Sequence, residues 1–294
     1  MTPPHTVVHA AHLFVPAVRP DLASKAAGSA ATAVILDLED SVPVEQKARA
    51  RDALGTMAET LAAQGKHVMV RPNNEPDLLF DDVDAALDAG VRGIVLPKTE
   101  SVDQLHELDE YLRAREASMS GALERIGLEL QIESARGLLD APRLSEALER
   151  TQAMMLGVED FGTDLGVDPQ DPEGDLRWAH GQLLLAATAS GVWPYGLIGA
   201  FSDFRDLEAY ARAVRMSRAF GYVGAYCIHP RQAEIAATGF RPDEEKVRHA
   251  RRVVDAFDRA EAQGRSACSL DGAMVDLPVV ERARRLLRRA GEDT

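Results

Sequence analysis

The chain has 294 residues, 46% of them hydrophobic, and a formal net charge of −14. That is enough apolar sequence for a large core, and the acidic balance argues against general nucleic-acid binding, which depends on neutralising phosphates. No window carries the roughly 18 apolar residues of a membrane span, and the N-terminus lacks a signal-peptide pattern. The two cysteines, Cys227 and Cys268, have no metal or redox spacing. We therefore expect a cytoplasmic protein with no nucleic-acid or membrane partner.

Short apolar segments alternate with segments of helical spacing along most of the chain. The predicted strands cover residues 7–15, 33–38, 67–70, 93–96, 127–132, 153–157, 192–198 and 223–228. Predicted helices include 21–28, 44–63, 81–89, 101–117, 175–190 and 202–220. Pro194 and Gly196 interrupt the seventh strand. Eight strands alternating with helices in about 230 residues predict a parallel (β/α)8 TIM barrel rather than an open sheet.

A C-terminal extension follows the predicted barrel. We expect a charged helix over 243–262, a glycine- and serine-containing stretch over 264–276, and a basic helix beginning near Pro278. Because this segment is short, residues 1–240 are assigned to the barrel and residues 241–294 to an appended helical extension rather than to a second domain.

Two predicted strands end abruptly in carboxylates. Glu133 follows the strand at 127–132, and Asp160 follows the strand at 153–157, one strand–helix–strand unit later. Parallel barrel strands end on one rim, so the two carboxylates are expected side by side. Such a pair suits a hard cation such as Mg²⁺. The alternative is that each acid stabilises the start of a helix.

The other strand ends are also charged. Arg71 is expected to grip a carboxylate or a developing oxyanion, with a surface salt bridge as its alternative. Asp37 is assigned a catalytic role, orienting Arg71 or holding a metal-bound water together with Glu39 and Asp40, and it could equally be a structural partner of a basic group.

Lys98 raises a rival chemistry, because a lysine at a barrel strand end can form a Schiff base with a keto substrate. A charge partner of the acids on the rim is the favoured interpretation. His229, at the eighth strand end, is expected to fix a loop rather than to act as a base. No nucleotide-binding fingerprint, nucleophile elbow or His-Glu-x-x-His motif occurs.

A series of short motifs occurs in a characteristic order. They are Leu13-Phe14-Val15-Pro16, Val34-Ile35-Leu36-Asp37-Leu38-Glu39-Asp40, Val70-Arg71-Pro72-Asn73, Leu96-Pro97-Lys98-Thr99-Glu100, Ile132-Glu133-Ser134-Ala135-Arg136-Gly137, Gly157-Val158-Glu159-Asp160-Phe161, Ile228-His229-Pro230-Arg231-Gln232 and Asp271-Gly272-Ala273-Met274-Val275-Asp276. In order and spacing the chain resembles the HpcH/HpaI aldolase/citrate lyase family, in its citrate lyase β-subunit-like branch, which includes malyl-CoA and citramalyl-CoA lyases.

The resemblance implies a fold and a site beyond what spacing indicates. The barrel would be of the phosphoenolpyruvate/pyruvate type, and the extension would be a lid on a neighbouring subunit of a homotrimer or hexamer. Glu133 and Asp160 would bind Mg²⁺ together with the 2-oxo acid, and Arg71 would contact the enolate oxygen. Asp276 would reach a neighbouring active site as the proton-transfer group.

The expected activity is Mg²⁺-dependent carbon–carbon cleavage of a carboxylated 3-hydroxyacyl thioester, of the citryl, malyl or citramalyl type, to a 2-oxo acid and an acetyl thioester. Arg19, Glu39 and Lys98 are assigned with Arg71 to substrate binding. The chain departs from the family pattern at Ala10-Ala11-His12, at Ala17 and over 191–203. The thioester carrier, acyl-CoA or acyl-carrier protein, therefore stays open. Two alternatives are a metal-dependent aldolase for free hydroxy-oxo acids and a β subunit active only within a larger complex.

Overall fold

The computed structural model describes residues 7–118, 125–169, 171, 174–199 and 205–292. The chain separates into two compact units, Met1–Gly239 and Phe240–Thr294. No helix among the described residues combines the length and the apolar character needed to cross a membrane.

The first unit contains one sheet of eight parallel strands, in the order β7-β6-β5-β4-β3-β2-β1-β8. A parallel bridge between Tyr195, in β7, and Gly224, just before β8, joins the two ends of the sheet. The strands are Ala11–Pro16, Ala33–Asp37, His67–Arg71, Gly93–Leu96, Gly127–Ile132, Thr151–Leu156, Trp193–Tyr195 and Ala225–Cys227, numbered β1 to β8. The predicted (β/α)8 barrel is thus confirmed.

Helices cover the outside of this sheet, because parallel strands with two buried faces require a layer of helices. In chain order they are α1 (Pro20–Ala27), α2 (Lys47–Ala62), α3 (Pro76–Asp88), α4 (Val102–Ser118), α5 (Ala135–Glu146), α6 (Val158–Leu165), α7 (Arg177–Ser190), α8 (Leu207–Phe220) and α9 (Pro230–Gly239). A 3₁₀ turn, Val44–Gln46, precedes α2.

Several predicted bounds differ from the structure. The first strand begins at Ala11 rather than at residue 7, and the seventh is only Trp193–Tyr195. Pro194 lies within that strand and has no N–H to donate, which explains why the ladder is short. Helix α8 begins at Leu207, and residues 202–204 of its predicted span lie outside the described residues.

The second unit consists of two helices and a hairpin. These elements are α10 (Glu244–Glu261), β9 (Ala267–Leu270), β10 (Ala273–Asp276) and α11 (Leu277–Arg289). The prediction missed the hairpin, although its turn, Asp271-Gly272, is the dipeptide favoured in two-residue hairpin turns. Both turn residues have positive φ, 52° at Asp271 and 81° at Gly272. The apolar faces of α10 and α11 share one hydrophobic cluster with Val275 of β10.

Candidate active site

Arg71 ends strand β3 beside Asp37, its register partner at the end of β2. Its Nε and Nη2 atoms donate to the two carboxylate oxygens of Asp37 over 2.7 and 2.8 Å. Both side chains are buried, and the guanidinium carbon lies 4.7 Å from the centre of the Phe14 ring. This forked pair fixes the guanidinium plane, and Nη1, on its other side, faces the carboxylates of Glu39 and Asp40.

The charges of this pair are mutually stabilised. Burial lowers the pKa of Arg71, but the hydrogen bond and charge of Asp37, with the charges of Glu39 and Asp40, raise it above its ordinary value. Burial raises the pKa of Asp37, but hydrogen bonds from Arg71 and Ser41 more than reverse this, so that its pKa falls below the ordinary value. Both groups are therefore charged at neutral pH.

Glu39 connects Arg71 with Lys98. Its Oε2 atom lies 3.1 Å from Nη1 of Arg71, and its Oε1 atom accepts a hydrogen bond from Nζ of Lys98, which also donates to Asp40 over 3.3 Å. Burial raises the pKa of Glu39. Burial lowers the pKa of Lys98, but its bonds and charge interactions with Glu39 and Asp40 raise it above the ordinary value. This environment opposes the neutral amine that a Schiff base requires.

Buried side chains hold the backbone of this acidic loop. Lys47 donates from Nζ to the carbonyl oxygens of Leu38 and Glu39 over 2.7 and 2.8 Å. Asn73 donates from Nδ2 to the same Leu38 oxygen over 3.0 Å, and Asp82 accepts from the main-chain N–H of Asn73 over 2.8 Å. These bonds fix the segments after β2 and β3, and hence the positions of Glu39 and Arg71.

Glu133 follows strand β5 and is 6% exposed. Its Oε2 atom accepts a 2.8 Å hydrogen bond from the main-chain N–H of Lys98, whose φ of 46° is unusual for a residue other than glycine. On its other side lies Gly157, where a Cβ atom would come 2.9 Å from Cδ of Glu133. A side chain at position 157 would therefore displace this carboxylate.

Asp160 lies in the first turn of α6, which begins directly after β6 and Gly157. Burial, with the charge of Asp160, raises the pKa of Glu133 to about 7, although the hydrogen bond from the Lys98 N–H opposes this rise. Asp160 makes no hydrogen bond or ion pair with another described residue. Oε1 of the adjacent Glu159 is buried and has no hydrogen-bond partner in the same part of the chain. Acidic oxygens thus accumulate here without a compensating cation.

This donor set fits Mg²⁺. The ion takes oxygen ligands and is commonly held by one or two carboxylates, with water and substrate completing the shell. The described residues contain no group of three or more histidine, cysteine, aspartate or glutamate side chains arranged around a metal position. The arrangement therefore suits an ion that shares its ligands with a substrate rather than one enclosed by protein.

The remaining predicted residues have partners of their own. Arg19 forms a forked pair with Asp21, with both bonds at 2.8 Å and both side chains largely exposed. Asp276 belongs to the second unit, where its carboxylate caps α11 by accepting from the N–H of Val279 over 3.4 Å. The Nδ1 atom of His229 accepts from the N–H of Arg231 over 3.2 Å, which is a loop-fixing contact.

Sequence reasoning missed three supporting features. Lys47 and Asp82 lie on helices and carry no motif signal, because their importance depends on main-chain groups distant in sequence. Gly157 ends the sixth apolar run, and its position next to Glu159-Asp160 could have suggested a close approach by another group.

The barrel interior also contains an unpredicted polar cluster. Glu129 of β5 is buried, with His12 Nε2 3.3 Å from one oxygen and the Tyr226 hydroxyl donating to the other. The alternation of Glu129, Gln131 and Glu133 with apolar residues predicts a strand with one polar face, and in a barrel that face can point inward.

Comparisons with known proteins identify the family of the chain. The family model described as HpcH/HpaI aldolase/citrate lyase matches residues 10–230. The L-malyl-CoA/β-methylmalyl-CoA lyase of Cereibacter sphaeroides is 32% identical, over 98% of this chain and 96% of its own. The citrate lyase subunit β of Leuconostoc mesenteroides is 29% identical, over 95% of this chain and 92% of its own.

A solved structure extends the likeness to three dimensions. It is protein CitE from Mycobacterium tuberculosis in complex with magnesium, acetoacetate and coenzyme A. The two chains are 32% identical, the match covers 98% of this chain and 100% of that one, and the TM-score is 0.72. The chain belongs to the HpcH/HpaI aldolase/citrate lyase family.

Proposed function

We propose that this protein is a Mg²⁺-dependent carbon–carbon lyase that cleaves a carboxylated 3-hydroxyacyl thioester, of the malyl, citramalyl or citryl type, into a 2-oxo acid and an acetyl thioester. The observation that carries the proposal is the buried, uncompensated Glu133 carboxylate beside Asp160, with Lys98 joining it to the network of Arg71. The names of the related lyases and the magnesium in a related structure support it.

The reaction breaks the bond between the carbinol carbon and the carbon next to the thioester. The hydroxyl group loses a proton and the thioester fragment gains one at carbon, so that no net proton is consumed. Glu133 and Asp160 would hold Mg²⁺, and the bound ion would supply Lewis-acid polarisation of the oxygen that becomes the ketone. Arg71, kept in place by Asp37, would bind the enolate oxygen through Nη1 in exchange for its contact with Glu39 and would lower the energy of the developing charge.

We assign the proton transfer to Asp276 of a neighbouring copy, within a homotrimer or hexamer. The support is its place at the end of hairpin strand β10, directly before α11, in the position that the family resemblance assigns to the proton-transfer acid. A carboxyl group on a hairpin can arrive with a closing lid, which would keep water from the enolate.

The assigned substrate contacts are Arg71, Glu39, Lys98 and Arg19. Glu39 and Lys98 border Arg71 and would set the charge of the pocket that receives the carboxylated end of the substrate. Arg19 would have to exchange its Asp21 partner for the carrier, acyl-CoA or acyl-carrier protein.

The test is Mg²⁺-dependent cleavage of malyl-CoA and citramalyl-CoA by Glu133→Gln and Asp160→Asn. Lewis-acid polarisation is worth several kcal/mol, so each variant should lose at least about 100-fold in kcat/KM. Glu100→Gln, which removes an exposed carboxylate two residues after Lys98, is the matched control and should keep parental activity. Retained Mg²⁺-dependent turnover in Glu133→Gln would refute the metal assignment.

The relative named citrate lyase subunit β favours a second candidate, a subunit that works only within a complex. Turnover of a CoA thioester by the purified chain alone would exclude an obligatory complex. Turnover of free hydroxy-oxo acids but not of thioesters would instead identify a metal-dependent aldolase.

A further inference from the structure

Glu129 carries a carboxylate into the interior of the barrel. Its side chain is buried and contacts His12 of β1 and Tyr226 of β8. Because β5 is a sheet neighbour of neither β1 nor β8, these contacts cross the barrel interior. Such interiors are usually filled by branched apolar side chains, and a buried carboxylate is costly unless it is paired and hydrogen-bonded. The position of this charge therefore calls for a structural or functional reason.

Tyr226 and His12 compensate the charge of Glu129. The Tyr226 hydroxyl donates to Oε2 of Glu129, and Nε2 of His12 lies 3.3 Å from Oε1. Burial raises the pKa of Glu129, but the charge and hydrogen bond of His12, together with the bond from Tyr226, bring it below the ordinary value. Burial and the charge of Glu129 raise the pKa of Tyr226 well above its ordinary value. A protonated hydroxyl therefore donates to an ionised carboxylate, and this strong bond anchors the Tyr226 ring.

The ring of Phe14 lies between Tyr226 and Arg71. The centres of the Phe14 and Tyr226 rings are 5.6 Å apart and the ring planes meet at 78°, which is an edge-to-face contact. The guanidinium carbon of Arg71 lies over the Phe14 ring, 4.7 Å from its centre. A cation in this position is attracted by the electron-rich face of the ring. Contacts thus run from Glu129 through Tyr226 and Phe14 to Arg71.

We propose that Tyr226, anchored by Glu129, is a positioning residue for Arg71 and acts through Phe14. The hydrogen bonds to Asp37 hold the Nε and Nη2 edge of the guanidinium, but Nη1 can still swing out of the plane about that edge. The Phe14 ring, held by Tyr226, blocks this swing on the face that it covers, so that Nη1 keeps its direction. The proposal rests on the proposed lyase function only where that function assigns the enolate oxygen to Nη1.

The first test follows Arg71 itself and needs no turnover. Hydrogen exchange of the Arg71 Nε–H is measured by NMR on the full chain labelled with ¹⁵N-arginine, and the resonance is assigned by its loss in Arg71→Lys. Tyr226→Phe keeps the ring but removes the bond to Glu129, and it should speed this exchange at least about fivefold. Tyr222→Phe, which removes a buried hydroxyl bonded to Nδ1 of His180 over 2.7 Å, is the matched control and should stay within about twofold of the parent. Unchanged exchange in Tyr226→Phe overturns the inference.

The second test separates positioning from a general loss of stability. Tyr226→Phe should lower kcat for thioester cleavage at least about tenfold per folded molecule, because Nη1 is displaced from the developing charge. In an Arg71→Lys background the same change should lower kcat less than about twofold, since its effect passes through Arg71. Equal losses in the two backgrounds would show a merely structural role and would overturn the inference.

Thermal melting establishes that the variants fold. If Tyr226→Phe does not fold, Glu129→Gln replaces it, because a neutral amide oxygen holds the Tyr226 hydroxyl more weakly than a carboxylate, and its effects should have the same sign. A parent protein without turnover would refute the proposed lyase function. The exchange experiment would still decide whether Tyr226 positions Arg71, so the two failures are distinguishable.

Discussion

Glu133 is a buried carboxylate that accepts a hydrogen bond from a main-chain N–H rather than from a cationic side chain. Arg71 differs, because Asp37 satisfies its charge through two short hydrogen bonds. Arg71 therefore has a partner of opposite charge, whereas Glu133 has none among its hydrogen-bond partners in the described part of the chain. Asp37 balances the charge of Arg71 within the protein, whereas the ionised carboxylates of Glu133 and Asp160 form a local excess of negative charge that a bound cation would relieve.

This excess predicts a pH dependence of stability in the metal-free protein. The pKa of Glu133 is about 7 in the folded chain against an ordinary value of 4.5. Between these values the unfolded chain has lost this proton while the folded chain retains it, so rising pH lowers the contribution of Glu133 to stability. Glu133→Gln removes this loss. At pH 8 with EDTA it should be more stable than the parent by up to about 3 kcal/mol, with the difference fading toward pH 4.5.

Urea unfolding of both proteins across this pH range checks the sign. Glu100→Gln removes an exposed carboxylate instead of a buried one, so its free energy of unfolding should equal that of the parent at every pH. A Glu133→Gln protein that is less stable than the parent at pH 8 would contradict the assigned burial and charge of this residue.

At the scale of elements, the site depends on how the segments after β2 and β3 are held. Lys47, on α2, fixes two carbonyl oxygens of the acidic loop. Lys66 makes an equivalent pair of bonds at the start of β3, donating to the carbonyl oxygens of Ser29 and Ala31 over 2.7 and 2.8 Å. The two lysines therefore perform the same structural task at opposite ends of the strands, and only one of those ends carries the candidate site.

Lys47→Met and Lys66→Met should separate stability from activity. Each removes two hydrogen bonds to main-chain carbonyl oxygens, which should lower the free energy of unfolding by about 2–3 kcal/mol. Lys47→Met should also lower kcat at least tenfold, because even a small displacement of Glu39 and Arg71 strongly slows the chemical step. Lys66→Met should keep the parental kcat per folded molecule. Equal kcat values in the two variants would show that the Lys47 bonds do not position the site.

The elements predicted most accurately are those with sharp local boundaries. Strands β4 and β5 have the predicted bounds, since glycine begins each apolar run and a proline or a charged residue follows it. The strand-end residues Arg71, Glu133 and Asp37 could be predicted as candidates because a charged residue next to an apolar run is visible in sequence. The contacts of Glu129 with His12 and Tyr226 could not be predicted from sequence, because they join β5 with β1 and β8, which are far from it along the chain.

At the scale of the whole molecule, the main untested prediction is that the C-terminal unit supplies the proton-transfer group, Asp276, while the barrel binds the metal and the substrate. Asp276 caps α11, and Asp243 caps α10 by accepting from the N–H groups of Glu245 and Lys246. Asparagine caps helices as well as aspartate does, so Asp276→Asn and Asp243→Asn should both fold normally. Only Asp276→Asn removes the assigned proton-transfer group, and its kcat should fall by about 100-fold or more.

Steady-state kinetics on the two variants provide the measurement, with thermal unfolding as the folding control. If Asp276 acts on a neighbouring copy, mixing Asp276→Asn with Glu133→Gln should restore part of the activity, because mixed assemblies contain sites with an intact barrel and an intact Asp276. Full activity in Asp276→Asn would remove this residue from the mechanism.

Lys98 has a further consequence for how the barrel responds to a substrate. Its left-handed backbone conformation, which glycine would adopt freely, costs a lysine roughly 1–2 kcal/mol. This residue links two parts of the site. Its side-chain amine donates to Glu39 and Asp40, and its main-chain N–H donates to Glu133. Glycine at position 98 would relieve the strain but would remove the hydrogen bonds from the amine to Glu39 and Asp40. A shift of the acidic loop when substrate binds would therefore reach Glu133 through Lys98, so we expect the positions of Glu39 and Glu133 to change together.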